Sequence, residues 1–409
     1  MTLFEELKWR GLIDNITDPE LEKKINEGGL TFYIGTDPTG DSLHIGHYST
    51  FSMAFRLKKA GHNPILLVGG GTGLIGDPKP SAERPMITKE QLDYNYKKLR
   101  KQVEKIFGFD VVNNYDWLGD INFIDYLRDY GKFFNLNYML NKETVKSRLD
   151  IGITYTEFSY MILQSIDFLH LHENKHCTLQ IGGSDQWGNI TSGVELIRKK
   201  TGDTVYGLTM PLITKADGTK FGKSEGKAIW LDKEKTTSYE MYQFFLNSED
   251  SKVIEYLKKL TFLPISEIME LEKKHLEHPE YREAHKALAC EVITFLHGKE
   301  EYEKAVQMSE ALFSDQIFML KANDIIDNFK DVPSFTFNGA PLLVDLLVEK
   351  EICSSKREAR EMITSGAITI NNVKFTDVEA TIEKENLVEN KVAIIRKGKK
   401  KYYLGIYED

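Results

Sequence analysis

Short apolar runs alternate with helical segments over about the first 225 residues of the chain. The runs LTFYIG, HNPILLVGGG, CTLQIGG and GLTMPLIT have the length and composition of buried strands, and apolar residues at helical spacing lie between them. Strands that are apolar throughout and separated by helices form parallel sheets covered on their faces. This pattern predicts an α/β fold whose first part is a parallel sheet wrapped by helices.

The pattern changes at about residue 236. The segments KVIEYLKKL, ISEIMELEKKHL, YREAHKALACEVITFLHG and EEYEKAVQMSEALF all have helical spacing. Residues 321–340 lose this periodicity, and the last block has two short helical patterns followed by strand-like runs. We therefore predict a first domain at residues 1–235, a helical domain at 236–320, a linker at 321–340 and a small module at 341–409.

Charge and composition restrict the partners and the compartment. A net charge of −9 over 409 residues argues against a chain that coats nucleic acid or an anionic membrane along its length. The N-terminal stretch MTLFEELKWRGLIDNI lacks the apolar centre of a signal peptide, and no window approaches the roughly 18 apolar residues of a membrane span. Three widely spaced cysteines, Cys177, Cys290 and Cys353, are typical of reduced thiols. We expect a cytoplasmic protein without a membrane partner.

Two histidines, His44 and His47, lie where a loop meets a predicted helix in YIGTDPTGDSLHIGH. A helix start offers free backbone N–H groups and the positive end of the helix dipole, and imidazole donors add directed hydrogen bonds. The stretch is suited to binding a phosphate. Two alternatives stay open at this point: a metal site, although no third ligand stands at suitable spacing, and two purely structural histidines.

A second candidate phosphate site is the stretch KFGKS, which contains Lys220, Lys223 and Ser224. It follows the strand-like run TMPLIT and a Lys-Ala-Asp-Gly turn. Two lysines and a hydroxyl on a glycine-containing loop suit a mobile clamp for a polyphosphate. The alternative is an ordinary solvated surface loop.

Three glycines, Gly71, Gly73 and Gly76, spell the GxGxxG pattern of dinucleotide-binding folds after a strand. The sequence Asp77-Pro78 directly behind them interrupts the helix on which a pyrophosphate would sit, and no Lys-Ser/Thr follows to make a P-loop. We favour glycines that let a strand end approach a ligand or another element closely. A nicotinamide- or flavin-dependent oxidoreductase is the alternative.

A polar stripe crosses the otherwise apolar helical segment TEFSYMILQSIDFL. Thr154 and Glu157 have the spacing of a capping box at its start. Tyr160, Gln164 and Asp167 follow one another at i, i+4 and i+7 and therefore share one helix face. Such groups are costly to bury without partners, so they indicate a pocket for a polar small molecule. A polar outer stripe is the alternative.

Together, DSLHIGH, KFGKS and LQIGGSDQWGNI resemble the class I aminoacyl-tRNA synthetases, and the likeness to the bacterial tyrosyl-tRNA synthetase family covers nearly the whole chain. The lysine loop reads Phe221-Gly222 where the wider class usually has Met-Ser. The resemblance implies a Rossmann-like catalytic domain, an α-helical anticodon-side domain and a small α+β RNA-binding module. It also implies that the glycine-rich residues 69–76 belong to the amino-acid site.

The resemblance implies two sets of substrate-binding residues. Those for tyrosine are Tyr33, Asp77, Tyr160, Gln164, Asp167 and Gln180, of which Tyr33 and Asp167 would hold the phenol hydroxyl, and Asp77, Tyr160 and Gln164 the ammonium group. Those for ATP are Gly35, Asp37, His44, Gly46, His47, Thr50, Gly183, Asp185, Gln186, Lys220 and Lys223. The implied catalytic groups are His44, His47, Lys220, Lys223 and Ser224. Lys79 and Arg84 lie in a loop that assists pyrophosphate in relatives.

The implied reaction has two steps and three substrates. Tyrosine attacks the α-phosphorus of ATP, which enters with Mg²⁺, and the tyrosyl group then passes to the 3′ end of tRNA(Tyr). We expect no protein-bound metal or organic cofactor, and the family implies a homodimer. The block at 341–409 is neutral, with 12 basic and 12 acidic residues, but its basic residues are clustered as phosphate contacts require. The implied tRNA-binding residues are Lys356, Arg357, Arg360, Arg396, Lys397, Lys399, Lys400 and Lys401.

Three rival functions remain beside tyrosine activation. A tryptophanyl synthetase of the same fold is disfavoured by Tyr33 with Asp167, which suit a phenol, and by the C-terminal module. A non-catalytic RNA-binding relative is disfavoured by the intact HIGH and lysine-loop stretches. The oxidoreductase depends only on the glycines at 71–76.

Overall fold

The computed structural model describes residues 1–77, 87–146, 148–150, 152–224, 227–312, 315–329, 332–398 and 401–408; of residues 143, 144, 223, 224, 312, 315 and 316 it describes the backbone only. Its internal contacts divide the chain into two compact units. The first comprises Met1–Lys235 and Ser248–Val292, and the second comprises Thr236–Asn247 and Ile293–Asp409.

Eighteen α-helical segments occur in the described residues. In chain order they are α1 Leu3–Trp9, α2 Glu20–Glu27, α3 Ile45–Lys59, α4 Lys89–Ile106, α5 Tyr115–Leu118, α6 Phe123–Asp125, α7 Leu136–Leu140, α8 Glu143–Lys146, α9 Tyr155–Lys175, α10 Trp187–Thr201, α11 Ser238–Leu246, α12 Val253–Leu260, α13 Ile265–Glu277, α14 Glu283–His297, α15 Lys299–Leu312, α16 Ala322–Asn328, α17 Leu343–Glu349 and α18 Lys356–Thr364.

A six-stranded sheet forms the centre of the first unit, in the order β1-β6-β5-β2-β3-β4. Its strands are β1 Asn15–Ile16, β2 Thr31–Thr36, β3 Asn63–Val68, β4 Asp110–Asn113, β5 Leu179–Gly183 and β6 Tyr206–Met210. All neighbours are parallel except β1, which pairs with β6 in the antiparallel direction. This confirms the predicted α/β class. In the register, Tyr33 lies between Ile65 and Gln180.

Helix α9 packs into the core beside this sheet. Its apolar residues Met161, Ile166 and Phe168 are buried in one cluster with Tyr33 of β2. The predicted capping box is confirmed, because Thr154 and the third residue of the helix satisfy each other's backbone N–H groups. The helix is therefore fixed at its start and along its length, which gives the polar groups on it defined positions.

The second unit contains a five-stranded sheet in the order β11-β10-β12-β13-β9. Two further strands, β7 Lys223–Ser224 and β8 Lys227–Ala228, form a small hairpin in the first unit. The strands of the five-stranded sheet are β9 Ser334–Phe337, β10 Ile368–Ile370, β11 Val373–Lys374, β12 Val392–Lys397 and β13 Lys401–Tyr407. Helices α17 and α18 pack on this sheet through buried residues such as Leu343 and Ile363, as the two predicted helices of the last block require.

Residues 321–340 differ from the predicted linker, because they form α16 and β9. Strand β9 pairs in parallel with β13, and Ile325 of α16 is buried against Val388 and Leu404. Both elements are short and depend on partners distant in the sequence, so local periodicity does not reveal them. The domain boundaries at 235, 320 and 340 stay a prediction; the observed contacts group residues 248–292 with the first unit.

In the parts of the chain that the structure describes, no helix is both long enough and apolar enough to cross a lipid bilayer.

Candidate active site

A cleft of about 520 Å³ lies in the first unit at the carboxyl ends of β2 and β5. The carboxyl end of parallel strands is where ligands bind in open α/β sheets. Every predicted tyrosine- or ATP-binding residue except Lys223 lines this one cleft: Tyr33, Gly35, Asp37, His44, Gly46, His47, Thr50, Asp77, Tyr160, Gln164, Asp167, Gln180, Gly183, Asp185, Gln186 and Lys220. The side chains of Lys223 and Ser224 lie outside the description, as do Lys79 and Arg84.

The two histidines cap helix α3 reciprocally. His44 Nδ1 accepts the N–H of Gly46 at 3.1 Å, and His47 Nδ1 accepts the N–H of His44 at 3.2 Å. The rings stack with centroids 3.8 Å apart. The helix therefore begins at Ile45, slightly earlier than predicted, because His44 itself is the cap. Since each Nδ1 accepts a hydrogen bond from a backbone N–H, each ring in its neutral form carries its own proton on Nε2.

The ring of His47 is neutral in the folded protein. Burial lowers its pKa to about 3, and the neighbouring His44 ring contributes in the same direction. His47 thus presents its Nε2–H donor at the helix start without a full positive charge. Positive charge at this end of the cleft comes instead from the lysine loop, whose Lys220 is exposed and lines the cleft.

The segment that follows the lysine loop, residues 220–224, is hydrogen-bonded to the chain at the start of α3. Ile45 N donates to the carbonyl of Ile229, and Leu231 N donates to that of Leu43, both at 2.8 Å. Gly222 has a positive φ of 101°, and a Cβ there would lie 3.0 Å from the backbone N of Gly46. Glycine is needed in the lysine loop because two backbones meet there. The imidazoles and the lysine loop therefore face the same cleft.

Aspartate 37 accepts two hydrogen bonds inside the cleft. Tyr160 Oη donates to Oδ2 at 3.0 Å, and Thr72 Oγ1 donates to Oδ1 at 2.9 Å. A Cβ at Gly69 would collide with this carboxylate. The glycine-rich stretch thus lets a strand end approach another element, as favoured above. Within this stretch, the residues described up to Asp77 form a short 3₁₀ turn, Thr72–Leu74, and not the start of the helix that the dinucleotide alternative requires.

Amide side chains surround Asp77 on the other side of the cleft. Gln186 Nε2 donates to its Oδ2 at 2.9 Å, and Asn189 Nδ2 donates to its Oδ1 at 3.2 Å. Asn189 also donates to Gln164 Oε1 at 3.0 Å. The carboxylate and amide oxygens gathered here are acceptors, which suits a cationic amino group. The sequence reasoning missed Asn189, although it stands in the quoted GGSDQWGN stretch.

Aspartate 167 is buried at the far end of the cleft, with 1% of its surface exposed. Asn114 Nδ2 donates to its Oδ2 at 2.9 Å and Trp117 Nε1 to its Oδ1 at 2.8 Å. Burial nevertheless raises the pKa of this carboxyl to about 8, because its desolvation outweighs the two hydrogen bonds. The polar stripe of α9 therefore points into the protein, and the alternative of an outer stripe is wrong for Tyr160 and Asp167.

Two buried polar atoms of residues that line the cleft have no hydrogen-bond partner among the described residues: Tyr33 Oη and Gln180 Oε1. Buried polar groups are normally paired, so such atoms indicate an absent ligand. Tyr33 is 1% exposed and its pKa is raised by burial and by the nearby Asp167 carboxylate. A hydroxylated ring placed between Tyr33 and Asp167 would supply the partner that Tyr33 lacks.

Asn114 and Trp117 were missed by the sequence reasoning. Asn114 directly follows β4, so its position at a strand end next to β3 was a usable signal. Nothing local marks Trp117, because its contact with Asp167 joins residues 50 apart.

In the second unit, most predicted tRNA-binding residues lie on α18 and at the β12–β13 turn. Lys356 pairs with Asp345 at 2.7 Å, and the side chain of Arg357 is 89% exposed. Arg360 and Lys401 are exposed and Arg396 is half-buried. Lys399 and Lys400 lie outside the described residues.

Lys397 differs from the prediction. Its ammonium group lies 2.7 Å from both Glu358 Oε1 and the carbonyl of Ile352, and its side chain is 16% exposed. The lysine is used within the module to join α18 to β12, so we do not include it in the proposed RNA-binding surface.

Asp250, His275 and His285 form the one described group of side chains with donor atoms close enough for a metal ion. His275 Nε2 lies 3.0 Å from the carbonyl of Asp250 and His285 Nε2 lies 3.1 Å from that of Ser248. Each Nε2 therefore carries a proton that it donates to the backbone. The expectation of no bound metal stays a prediction.

Comparison with known proteins identifies the class. Residues 25–314 match the family model described as class I tRNA synthetases (W and Y), and the chain belongs to this family. Residues 324–405 match the model of the tyrosine–tRNA ligase SYY-like C-terminal domain. The resemblance inferred from the motifs is thereby confirmed.

Relatives that match this chain over nearly its whole length are named as tyrosine–tRNA ligases. A tyrosine–tRNA ligase of Listeria welshimeri is 52% identical over 100% of both chains, and tyrosine–tRNA ligase 1 of Bacillus cereus is 52% identical over 99% of both. A C-terminally truncated mitochondrial tyrosyl-tRNA synthetase of Aspergillus nidulans has a TM-score of 0.69 at 30% identity, covering 76% of this chain and 94% of that one.

Proposed function

We propose that this chain is a tyrosine–tRNA ligase that forms tyrosyl-adenylate and pyrophosphate from L-tyrosine and ATP, and then transfers tyrosine to the 3′ end of tRNA(Tyr). The observation that carries this proposal is one cleft that is lined by three groups. They are the buried carboxyl group of Asp167, the carboxylate of Asp77 with its amide partners, and the start of α3 with its two capping histidines. Relatives of this name match the full length of the chain at 52% identity.

The buried end of the cleft selects the side chain. The phenol hydroxyl of tyrosine donates to Asp167, which already accepts from Asn114 and Trp117, and accepts from Tyr33 Oη, which thereby gains the partner that it lacks. Phenylalanine would leave the buried Tyr33 hydroxyl unpaired, and a site built in this way rejects the analogue that lacks the hydroxyl. Asp77, Tyr160 and Gln164 receive the ammonium group, with Gln180 beside it. Tyrosine is thereby held at both ends.

The open end of the cleft holds ATP. A carboxylate nucleophile is already ionised, so the first step requires alignment and stabilisation of charge on the departing pyrophosphate rather than a general base. The Nε2–H groups of His44 and His47 donate to the phosphates beside the positive end of the α3 dipole. The lysine loop, with Lys220, Lys223 and Ser224, closes over the pyrophosphate. Mg²⁺ enters with ATP as part of the substrate.

The remaining predicted residues have supporting positions around the nucleotide. Gly35, Asp37, Gly183, Asp185 and Gln186 form the side that faces adenosine and the tyrosine carboxylate, and Thr50 lies towards the ribose. A Cβ at Gly183 would lie 2.9 Å from Leu212 Cδ2. A larger residue there would therefore narrow the cleft.

The C-terminal module at 341–409 binds the tRNA, and the helical residues 236–320 face the anticodon side, with 321–340 between them. Lys356, Arg357, Arg360, Arg396 and Lys401 form the proposed RNA surface together with Lys399 and Lys400. Arginine and lysine on one surface supply the contacts to phosphate that dominate RNA affinity.

We also propose a homodimer that acts in the cytoplasm. Large apolar side chains are concentrated on the first unit between residues 115 and 155, and Phe123, Ile124 and Leu136 are 66%, 64% and 64% exposed. Several large apolar side chains exposed on one unit are typical of an interaction site. We assign it to a second copy of the chain, and sedimentation of Phe123→Ser should show dissociation while the unaltered chain sediments as a dimer.

Amino-acid-dependent ATP–pyrophosphate exchange tests the proposed activity. We expect exchange with tyrosine and little with tryptophan or phenylalanine. Asp167→Ala should abolish the preference for tyrosine, whereas Asp203→Ala, an exposed carboxylate paired with His172, should behave as the unaltered chain. No exchange with any amino acid would instead favour a non-catalytic RNA-binding protein.

A further inference from the structure

Two donors hold the carboxylate of Asp167, and they are supported unequally. Asn114 is fully buried, and its own side chain is fixed because Oδ1 accepts the N–H of Gly71 at 2.7 Å. Trp117 lies on α5, which is a helix of four residues, and its indole is only half-buried. The orientation of this indole therefore depends on what packs against its faces.

One face of Trp117 is covered by the imidazole of His170. The two ring centroids are 4.2 Å apart and the planes differ by 10°, so the rings are stacked nearly parallel. His170 is on α9, three residues after Asp167, and therefore about one helical turn along the same helix. The indole lies between its hydrogen-bond acceptor and its stacking partner, both of which the same helix supplies.

The imidazole itself is held in place. Asn174, one turn further along α9, has its Nδ2 at 2.9 Å from the carbonyl of His170 and at 3.4 Å from the Nδ1 of its ring. Partial burial lowers the pKa of His170, so the ring is neutral near pH 7. Neither Trp117 nor His170 is among the described residues that line the cleft. Neither would touch the substrate.

We propose that His170 is a positioning residue for amino-acid selection, because its ring fixes the indole of Trp117 so that Nε1–H points at the carboxylate that receives the phenol. This inference rests on the proposed function of Asp167. Stacked aromatic pairs are worth enough to change binding by about two- to tenfold. Loss of the stack should therefore act on tyrosine recognition and leave the ATP end of the cleft unchanged.

The test measures tyrosine- and phenylalanine-dependent ATP–pyrophosphate exchange by the full-length chain and three variants. His170→Ala should raise KM for tyrosine about two- to tenfold with little change in kcat or in KM for ATP, and it should lower the ratio of kcat/KM for tyrosine over phenylalanine. His170→Phe retains a flat ring and should restore most of the loss. His172→Ala is the matched control, since that imidazole bonds to the Cys177 carbonyl and to Asp203 instead.

Three outcomes would overturn the inference: an unchanged selectivity ratio in His170→Ala, equal defects in His170→Ala and His170→Phe, or a loss confined to kcat and KM for ATP. Equilibrium binding of tyrosine, measured on variants whose circular dichroism matches that of the unaltered chain, separates lost recognition from lost folding. Failure of the unaltered chain to exchange with tyrosine would refute the proposed function itself, which is a distinct result.

Discussion

Replacing Tyr33 by phenylalanine should stabilise the protein while it impairs tyrosine activation. The hydroxyl of Tyr33 is buried and has no partner among the described residues. In the unfolded chain the same hydroxyl is hydrated by water, so folding without ligand costs about 1–3 kcal/mol for this group. Its removal should raise the free energy of unfolding by about 1 kcal/mol or more.

The effect on activity has the opposite direction. The hydroxyl finds its partner only when the phenol of tyrosine is bound, and a neutral hydrogen bond contributes about 0.5–1.5 kcal/mol. We therefore expect kcat/KM for tyrosine to fall by about two- to twelvefold in Tyr33→Phe. For phenylalanine, which cannot satisfy the hydroxyl, kcat/KM should stay constant or rise, so the selectivity ratio narrows.

Urea unfolding followed by circular dichroism gives the stability, and pyrophosphate exchange gives the kinetics. Tyr256→Phe is the matched control for stability: Tyr256 is equally buried but its hydroxyl donates to the Thr214 carbonyl at 3.0 Å, so its loss should destabilise by about 1 kcal/mol. Destabilisation by Tyr33→Phe would show that its hydroxyl has a partner in the free protein. Equal losses with tyrosine and phenylalanine would show that it does not recognise the phenol.

Three further predictions concern other parts of the molecule. Gly222→Ala should lower the rate of adenylate formation more than tenfold, because its Cβ would meet the backbone of Gly46. Gly218→Ala, in the turn before the lysine loop, is the control, because Gly218 also has a positive φ but its Cβ would meet nothing within 4 Å. Similar rates in the two variants would contradict the close approach. Burial lowers the pKa of His285 to about 4. Between about pH 6.5 and 4 this imidazole therefore binds a proton in the unfolded chain but not in the folded one. The free energy of unfolding should fall by up to about 3 kcal/mol as the pH drops through this range. His285→Asn should reduce this slope in urea titrations and leave the part due to His47, whose pKa is also lowered, and an unchanged slope would assign it elsewhere. Arg360→Ala should weaken tRNA charging and reduce its salt dependence but spare pyrophosphate exchange, and a fall in exchange would speak against a purely RNA-facing role.

Local sequence patterns predicted those parts of the site that depend only on the geometry of one helix or strand. The spacing of Tyr160, Gln164 and Asp167 places them on one face wherever the helix packs, and the histidines identify a helix start from neighbouring residues alone. The parallel sheet also followed from the alternation of apolar runs. These features require only the periodicity of a helix or strand and the chemistry of its ends.

Contacts between distant residues could not be predicted in the same way. The pairing of β9 with β13 turns a segment without periodicity into a strand. Lys397 looks like part of a basic cluster in the sequence, yet its ion pair with Glu358 spans 39 residues. The hydrogen bond from Trp117 to Asp167 and the stacking of Trp117 on His170 form only when α5 packs against α9. Such roles depend on tertiary packing rather than on spacing.

The reciprocal cap formed by His44 and His47 has a consequence for how the nucleotide is received. With both Nδ1 atoms committed to the backbone, neither ring can shift its proton or gain charge without breaking the first turn of α3. In the proposed function, the floor of the triphosphate site therefore offers shape and directed donors, and the ring of His47, whose pKa burial lowers to about 3, is uncharged near neutral pH. In this proposal, compensation of the phosphate charge falls to the lysine loop and to the Mg²⁺ that enters with ATP.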